Sequence, residues 1–295
     1  MTVAEMHTGV KIQLDKIDSL SYPNFTDDEI DYMLNREQDK FVKHRADGTL
    51  ARNRGFEETQ KRMDDLRAVT GDTVLTPDAV DPSNKPNGRF VTLPNDPTNN
   101  NVYWFAINEE AIINVPDCDT GIIKSGEIQD GVVYIVTEGS ITYNNTTYSA
   151  GETFTGTSGD VGGSPFVFTD FTGDGTVMLW VQERVEIKPL QHDDYNKTIK
   201  DPFNKPVVSS QVSQLRRLQL DSKMEILLPD GLSTLNQYIL RYIRKPRQIS
   251  LTSSIDCELA EHTHQEIVDM TVASILETIE SGRYQTNLNE LGKFE

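Results

Sequence analysis

The stretch that decides the fold is Gln237-Tyr-Ile-Leu-Arg-Tyr-Ile243, followed by Arg244-Lys-Pro-Arg247, Gln248-Ile-Ser-Leu251 and Cys257-Glu-Leu-Ala-Glu-His-Thr-His-Gln-Glu-Ile-Val-Asp-Met270, and continuing to Glu295. Its first seven residues alternate with a period of two, which predicts a half-buried strand. A turn bearing Arg241, Arg244, Lys245 and Arg247 follows, with Pro246 breaking the ladder. Gln248–Leu251 is expected to return as the second strand of a hairpin. Val268, Val272, Ile275 and Ile279 share one stripe, predicting a helix over 262–281 that stops at Gly282, a residue free to adopt positive φ. Arg283 to Glu295 is an arm carrying Tyr284, Leu288, Leu291 and Phe294 with no helix of its own to pack against.

A helix near 262–281 needs partners, and the other end of the chain supplies them. Val10, Leu14 and Ile17 share a face in a predicted helix from Ala4 to Leu20. Thr26-Asp-Asp-Glu29 reads as a capping box with an acidic first turn, opening a helix to about His44 in which Ile30, Met33, Leu34, Phe41 and Val42 recur at helical spacing. A third helix is expected from Phe56 to Val69, with Thr59, Met63, Leu66 and Val69 on one side and Gly71 at its end. These segments read as a small bundle completed by the C-terminal helix.

Between the helical ends the pattern becomes β. Gly131–Thr137, the Glu138-Gly-Ser turn and Ile141–Tyr143 predict a hairpin, and Asn144-Asn145 a tight turn into Thr146–Tyr148. Further strands are expected at Ala150–Phe154, Phe166–Phe168, Thr176–Ile187 and Met224–Leu228, the last before the Pro229-Asp-Gly231 turn. Residues 80–100, rich in Pro and Asn, read as a loop or edge. The expected class is α+β: a bundle of N-terminal (1–71) and C-terminal (237–295) segments, a β-rich sandwich or barrel inserted at 72–190, and a linker with some β content at 191–236.

A length of 295 residues fits about two domains at ~100–200 residues each. No long apolar run exists, so no membrane span is expected, and Met1-Thr-Val-Ala-Glu-Met-His7 does not read as a signal peptide. Cys118 and Cys257 form no metal or redox spacing, which fits synthesis in a reducing compartment. The net charge of −18 is concentrated: residues 71–190 hold 5 Lys+Arg against 17 Asp+Glu, while 1–70 hold 11 against 14 and 191–295 hold 12 against 15. An acidic middle segment is unsuited to gripping a phosphate backbone, which needs clustered cations.

Candidate chemistry is sparse. Cys257, His262, His264 and Glu266 have zinc-type side chains, but His264 lies two helical positions from its neighbours and cannot share their face. Asp170-Phe-Thr-Gly-Asp174-Gly175 lacks the spacing of a calcium loop, and Gly156 to Gly163 lacks the lysine and helix of a phosphate loop. No metal, cofactor or catalytic residue is expected, and the chain does not read as an enzyme. A cupin-like barrel would need histidines, and none of the five lies within 72–190.

Phe25-Thr-Asp-Asp-Glu-Ile-Asp-Tyr-Met-Leu-Asn-Arg-Glu-Gln-Asp-Lys-Phe-Val-Lys43 and Gly55–Arg67 resemble the opening of virion proteins from crAss-like podoviruses. Tyr242-Ile-Arg-Lys-Pro246 and Cys257–Asp269 resemble their close, and Tyr143-Asn-Asn-Thr-Thr-Tyr-Ser-Ala-Gly151 a part of their middle. The resemblance implies a head-to-tail connector, a ring adaptor that stacks beneath the portal, usually in twelve copies, within the virion. Its partners would be itself, the portal, other neck or tail rings, and viral DNA that passes without sequence-specific binding. The interaction residues expected on this reading are Arg241, Arg244, Lys245 and Arg247 at the basic turn, and Tyr284, Leu288, Leu291 and Phe294 on the arm. The rival expectation is a receptor- or glycan-binding β module of a phage tail or fibre.

Overall fold

The structure, a computed structural model, describes residues 1–15, 25–47, 60–78, 85, 87–117, 120–124, 127–157, 171–209 and 213–278. Its helices are α1 (Val3–Asp15), α2 (Asp27–Asp47), α3 (Gln60–Leu66), α4 (Tyr195–Lys200) and α5 (His264–Thr278). Its strands are β1 (Thr70–Leu75), β2 (Gly88–Thr92), β3 (Asn95–Asp96), β4 (Asn101–Pro116), β5 (Val133–Glu138), β6 (Ser140–Tyr143) and β7 (Thr146–Ser149). They continue with β8 (Thr153–Thr155), β9 (Thr172–Gly173), β10 (Thr176–Pro189), β11 (Val207–Val208), β12 (Ser213–Leu220), β13 (Lys223–Leu227) and β14 (Thr234–Arg244). The class is α+β, in two compact units. Residues 1–71, 94–107 and 241–295 form a helical unit, and 72–93 with 108–240 form a β-rich one.

Local chemistry sets the helix starts. Thr26 and Glu29 cap each other: the Thr26 amide donates to Glu29 Oε2 at 2.8 Å, and the Glu29 amide donates to Thr26 Oγ1 at 3.3 Å. Thr2 and Glu5 repeat the device for α1, whose first amide, on Val3, also donates to Asp256 at 2.6 Å. Met6 and Val10 of α1, Ile30, Leu34, Phe41 and Val42 of α2, and Leu66 of α3 bury against Ile267, Val268, Val272, Ile275 and Leu276 of α5. Each fully buried side chain of this kind stabilises by about 1.5–3 kcal/mol relative to exposure. α5 packs on both α1 and α2, as the matching stripes require. Trp104 and Phe105, stacked at 5.0 Å, join the same core. The expected extensions to Leu20, to Phe56 and to Gly282 fall outside the described residues.

The main sheet runs β1-β14-β4-β10-β12-β13-β2; of its strands, residues 72–75 of β1, 108–116 of β4 and 234–240 of β14 count with the β-rich unit, as do β10, β12, β13 and β2 in full. β12 lies parallel to β10, after a crossover containing α4, and antiparallel to β13, which pairs with β2. The sheet curls back on itself: three residues beyond β1, the Asp78 amide donates to the Phe90 carbonyl on β2 at 2.8 Å. The Asp78 carboxylate adds bonds to Thr92 and Lys223.

Three expectations change here. Residues 191–236 are no linker, because β12 and β13 carry the apolar residues Leu215, Leu218, Met224, Ile226 and Leu227 that bury inside this unit. Residues 94–107 count with the helical unit and not with the insertion at 72–190, while the loop-or-edge reading of 80–100 fits its described part, where β2 ends the main sheet and β3 pairs with β4 alone. The stretch 133–143 is not a hairpin: β5 pairs with β10 and β8, whereas β6 pairs with β7 and β9 in a separate three-stranded sheet. Gly139, at φ 68°, turns this corner with its Cα against Gly175, where a Cβ would meet backbone at 3.0 Å. Asn144 and Asn145, at φ 48° and 58°, do form the tight β6–β7 turn.

The small sheet shares a core of Ile123, Ile128, Tyr134, Val136, Ile141, Tyr143, Phe154 and Val177. Phe154 lies at its centre, with Tyr143, Tyr148 and Tyr134 at 4.9, 5.2 and 5.5 Å. The glycine-rich start at Gly156 is a close backbone crossing, since a Cβ there would lie 2.0 Å from the Gln129 carbonyl oxygen. Asp170 and Gly162-Gly163 lie outside the described residues.

Candidate interaction site

The basic segment 241–247 lies in the helical unit, with Arg241 and Arg244 on β14 and Lys245 and Arg247 beyond it, and its four cations have different roles. Arg241, Lys245 and Arg247 are exposed. Arg244 is not: both of its terminal nitrogens bind the Glu258 carboxylate, and they also donate to the carbonyls of Ala68 at 2.8 Å and Asn100 at 3.4 Å. Burial alone would raise the Glu258 carboxyl. Hydrogen bonds from Arg244, the Arg247 amide and Asn100, together with the Arg244 charge, outweigh it and hold that group below the usual carboxylate range. Arg244 is therefore an internal clamp joining β14, the end of the α3 segment and the approach to α5. The expectation that all four cations form one docking patch reduces to three of them.

Gln248–Leu251 is not a second strand. Only Ser250 makes a bridge, to Ile255, and the rest of the segment takes its hydrogen bonds from side chains of α2. Asn35 donates to the Ile249 carbonyl and accepts its amide, Asp31 accepts the Leu251 amide at 3.0 Å, and Gln38 donates to the Arg247 carbonyl at 2.9 Å. Spacings of four and three residues set these groups along one face of the helix.

The zinc-type side chains are separated by their own partners. Cys257 Sγ donates to Gln38 Oε1 at 3.2 Å, and burial pushes its thiol up to about 11, far from thiolate at neutral pH. His262 Nε2 lies 2.7 Å from Asp65, the His264 ring nitrogens meet the carbonyl oxygens of Leu259 and Met1, and Glu266 pairs with Arg45 at 2.7 Å. Among the described residues no group of three His, Cys, Asp or Glu side chains could hold a metal ion. Asp65, buried, also meets Arg45 at 3.1 Å, so one carboxylate ties α2, α3 and the turn before α5. A second buried pair sits under α1, where His7 Nε2 lies 2.7 Å from Asp31. Reading the sequence missed both, because their partners lie in different helices and carry no spacing signal.

Tyr284, Leu288, Leu291 and Phe294 lie outside the described residues. No described helix is long and apolar enough to cross a membrane. No family model and no curated protein matches the sequence.

Proposed function

We propose that the chain is a structural virion protein, a subunit of a ring that connects a phage portal to its tail around the DNA channel. The observation that carries this reading is the closure of one helical unit by the two ends of the chain, with a β-rich unit inserted between them. That is the arrangement implied by the sequence resemblance at both ends. Hydrogen bonds reinforce the closure: the first amide of α1 is held by Asp256, Gln13 donates to Asp269, and Arg45 reaches Glu266. A body locked this way can present two different faces to its neighbours, as a closed ring with head-to-tail contacts demands. The net charge of −18 supports passage of DNA over retention, since each phosphate–cation contact must be broken in transit. The β-rich unit, which holds most of that excess, belongs outside the channel on this reading. The portal and other neck or tail rings would be its partners.

The test is imaging of the purified chain, alone and with its portal, by negative-stain electron microscopy. Rings of about a dozen copies seated on the portal are the expected result. A three-fold particle with no portal binding would overturn the proposal in favour of a tail-fibre receptor-binding module.

A further inference from the structure

We propose that protons close the helical unit: buried His7 and His264 are imidazolium ions when the N-terminal helices pack on α5, and the closure loosens as pH rises past the histidine range. The inference stands apart from the ring reading, since it concerns only how this unit holds together.

Counting hydrogens carries it. A neutral imidazole has one N–H and one bare lone pair, so acceptors at both ring nitrogens require a second proton. His264 is buried; its Nδ1 meets the Met1 carbonyl oxygen at 3.1 Å, and its Nε2 meets that of Leu259 at 2.9 Å. A carbonyl cannot donate, so both bonds form only when both nitrogens carry hydrogen. His7 is also buried, with Nε2 2.7 Å from Asp31 Oδ1. Its Nδ1 makes no hydrogen bond and lies 3.7 Å from Asp27 Oδ1. A bare lone pair there would face a carboxylate, whereas a second proton turns the same approach into an ion pair. His262 and His192 differ: each meets an acceptor through Nε2, Asp65 and the Gln219 carbonyl, which a neutral ring satisfies.

Both buried rings sit where the two ends of the chain meet. His264, the first residue of α5, holds Met1, while His7 on α1 holds Asp31, whose carboxylate also accepts the Leu251 amide at 3.0 Å. The charged groups facing His7 are Asp27 and Asp31 from α2 and Lys11 from its own helix, which is bound to Asp27 at 2.9 Å. The bond and charge of Lys11, with His7 adding to them, hold the Asp27 carboxyl below the usual carboxylate range. Around His264, Glu261 offsets the Met1 amino group at 3.3 Å, Asp256 takes the Val3 amide, and Glu266 is turned to Arg45. A buried cation is tolerated only where it is paired or hydrogen-bonded, and both rings have those partners.

The sign follows from linkage. An unfolded histidine gives up its proton near pH ~6.5. A closed unit that keeps its protons beyond that point takes up protons on folding, so the stability they supply is complete below it and is lost as pH rises. Each proton held raises the unfolding constant by up to about tenfold per pH unit.

The experiment combines nitrogen NMR of the full chain, labelled at histidine, with urea unfolding followed from pH 6 to pH 9. Of the five histidines, two should show both ring nitrogens protonated at pH 7.5, and these signals should vanish singly in His7→Gln and His264→Gln. The parent's unfolding constant should climb with pH, and each variant should climb by up to about tenfold less per pH unit. A single-tautomer signal from either buried ring would overturn the proposal, as would variants whose pH slope equals the parent's. Should a variant fail to fold, the parent's spectrum decides alone, because five neutral rings at pH 7.5 would refute it.

Discussion

Asn35 and Ile249 are joined by a closed pair of hydrogen bonds: the Asn35 amide donates to the Ile249 carbonyl at 2.8 Å and accepts the Ile249 N–H at 2.7 Å. A helix side chain thus does what a neighbouring strand does in a sheet. With Asp31 and Gln38 it makes α2 the hydrogen-bonding edge for an extended segment that has no strand beside it.

Asn35→Ala leaves a buried Ile249 with two backbone groups unpaired, so we expect a loss of about 2–3 kcal/mol. Asn35→Asp keeps an acceptor for the Ile249 N–H but sets a carboxylate oxygen against the Asp31 and Ile249 carbonyls, so it should lose at least as much. Urea unfolding measures both, and hydrogen exchange at Ile249 and Leu251 should quicken in the alanine variant. Parent-like unfolding and exchange would show the pair to be energetically idle.

The Arg244–Glu258 clamp yields a second expectation. Its side chains are 19% and 16% exposed, so removing one partner strands a largely desolvated charge. Arg244→Ala should destabilise by about 2–4 kcal/mol, with Glu258→Gln costing less and the double variant costing less than the sum. Strict additivity in that double-mutant cycle would mean the two residues act independently.

The same carboxylate sets a pH response. Its folded pKa is depressed, so its contribution is complete above the ordinary glutamate range near ~4.3 and is lost as pH falls through the folded value. Thermal midpoints measured from pH 7 to pH 3 should fall less steeply for Glu258→Gln than for the parent. Superimposable curves would remove Glu258 from the acid limb.

Ile275, fully buried where α5 meets the N-terminal helices, tests whether the chain ends depend on each other. Ile275→Val should cost about 0.5–1.5 kcal/mol, while Ile275→Asp, burying an unpaired charge, should cost more than about 4 kcal/mol. A parent-like melting curve for the aspartate variant would contradict the packing.

The helical unit was readable where signals are local. The Thr26–Glu29 box and the 268–272–275 stripe rest on neighbours within a few turns, and both appear as expected. Two features with distant causes were not. Gln248–Leu251 looked like a strand because its composition suits an extended backbone, yet its partners sit on a helix more than 200 positions away. Arg244 reads as one of four interaction cations because nothing in its spacing marks Glu258 as its counter-ion. β4, the longest strand, was overlooked even though Glu109, Ala111, Ile113 and Val115 alternate cleanly onto the buried face.

The basic turn can be tested apart from the clamp. Changing Arg244 would break the clamp, so a variant that removes it cannot separate folding from docking. Arg241 on β14 and Lys245 and Arg247 just beyond it are exposed, and the Arg247 backbone is held through its own amide and carbonyl whatever its side chain. Changing these three to Ser should therefore shift stability by no more than about 0.5 kcal/mol each. In the ring reading they face an acidic neighbour or form a narrow cationic band beside the DNA. The triple variant should then bind its portal more weakly, with a smaller dependence on salt, because the screened charges have gone. Particles that do assemble should retain packaged DNA less well. Unchanged portal affinity, salt dependence and DNA retention, with the fold intact, would assign these cations to solvent alone.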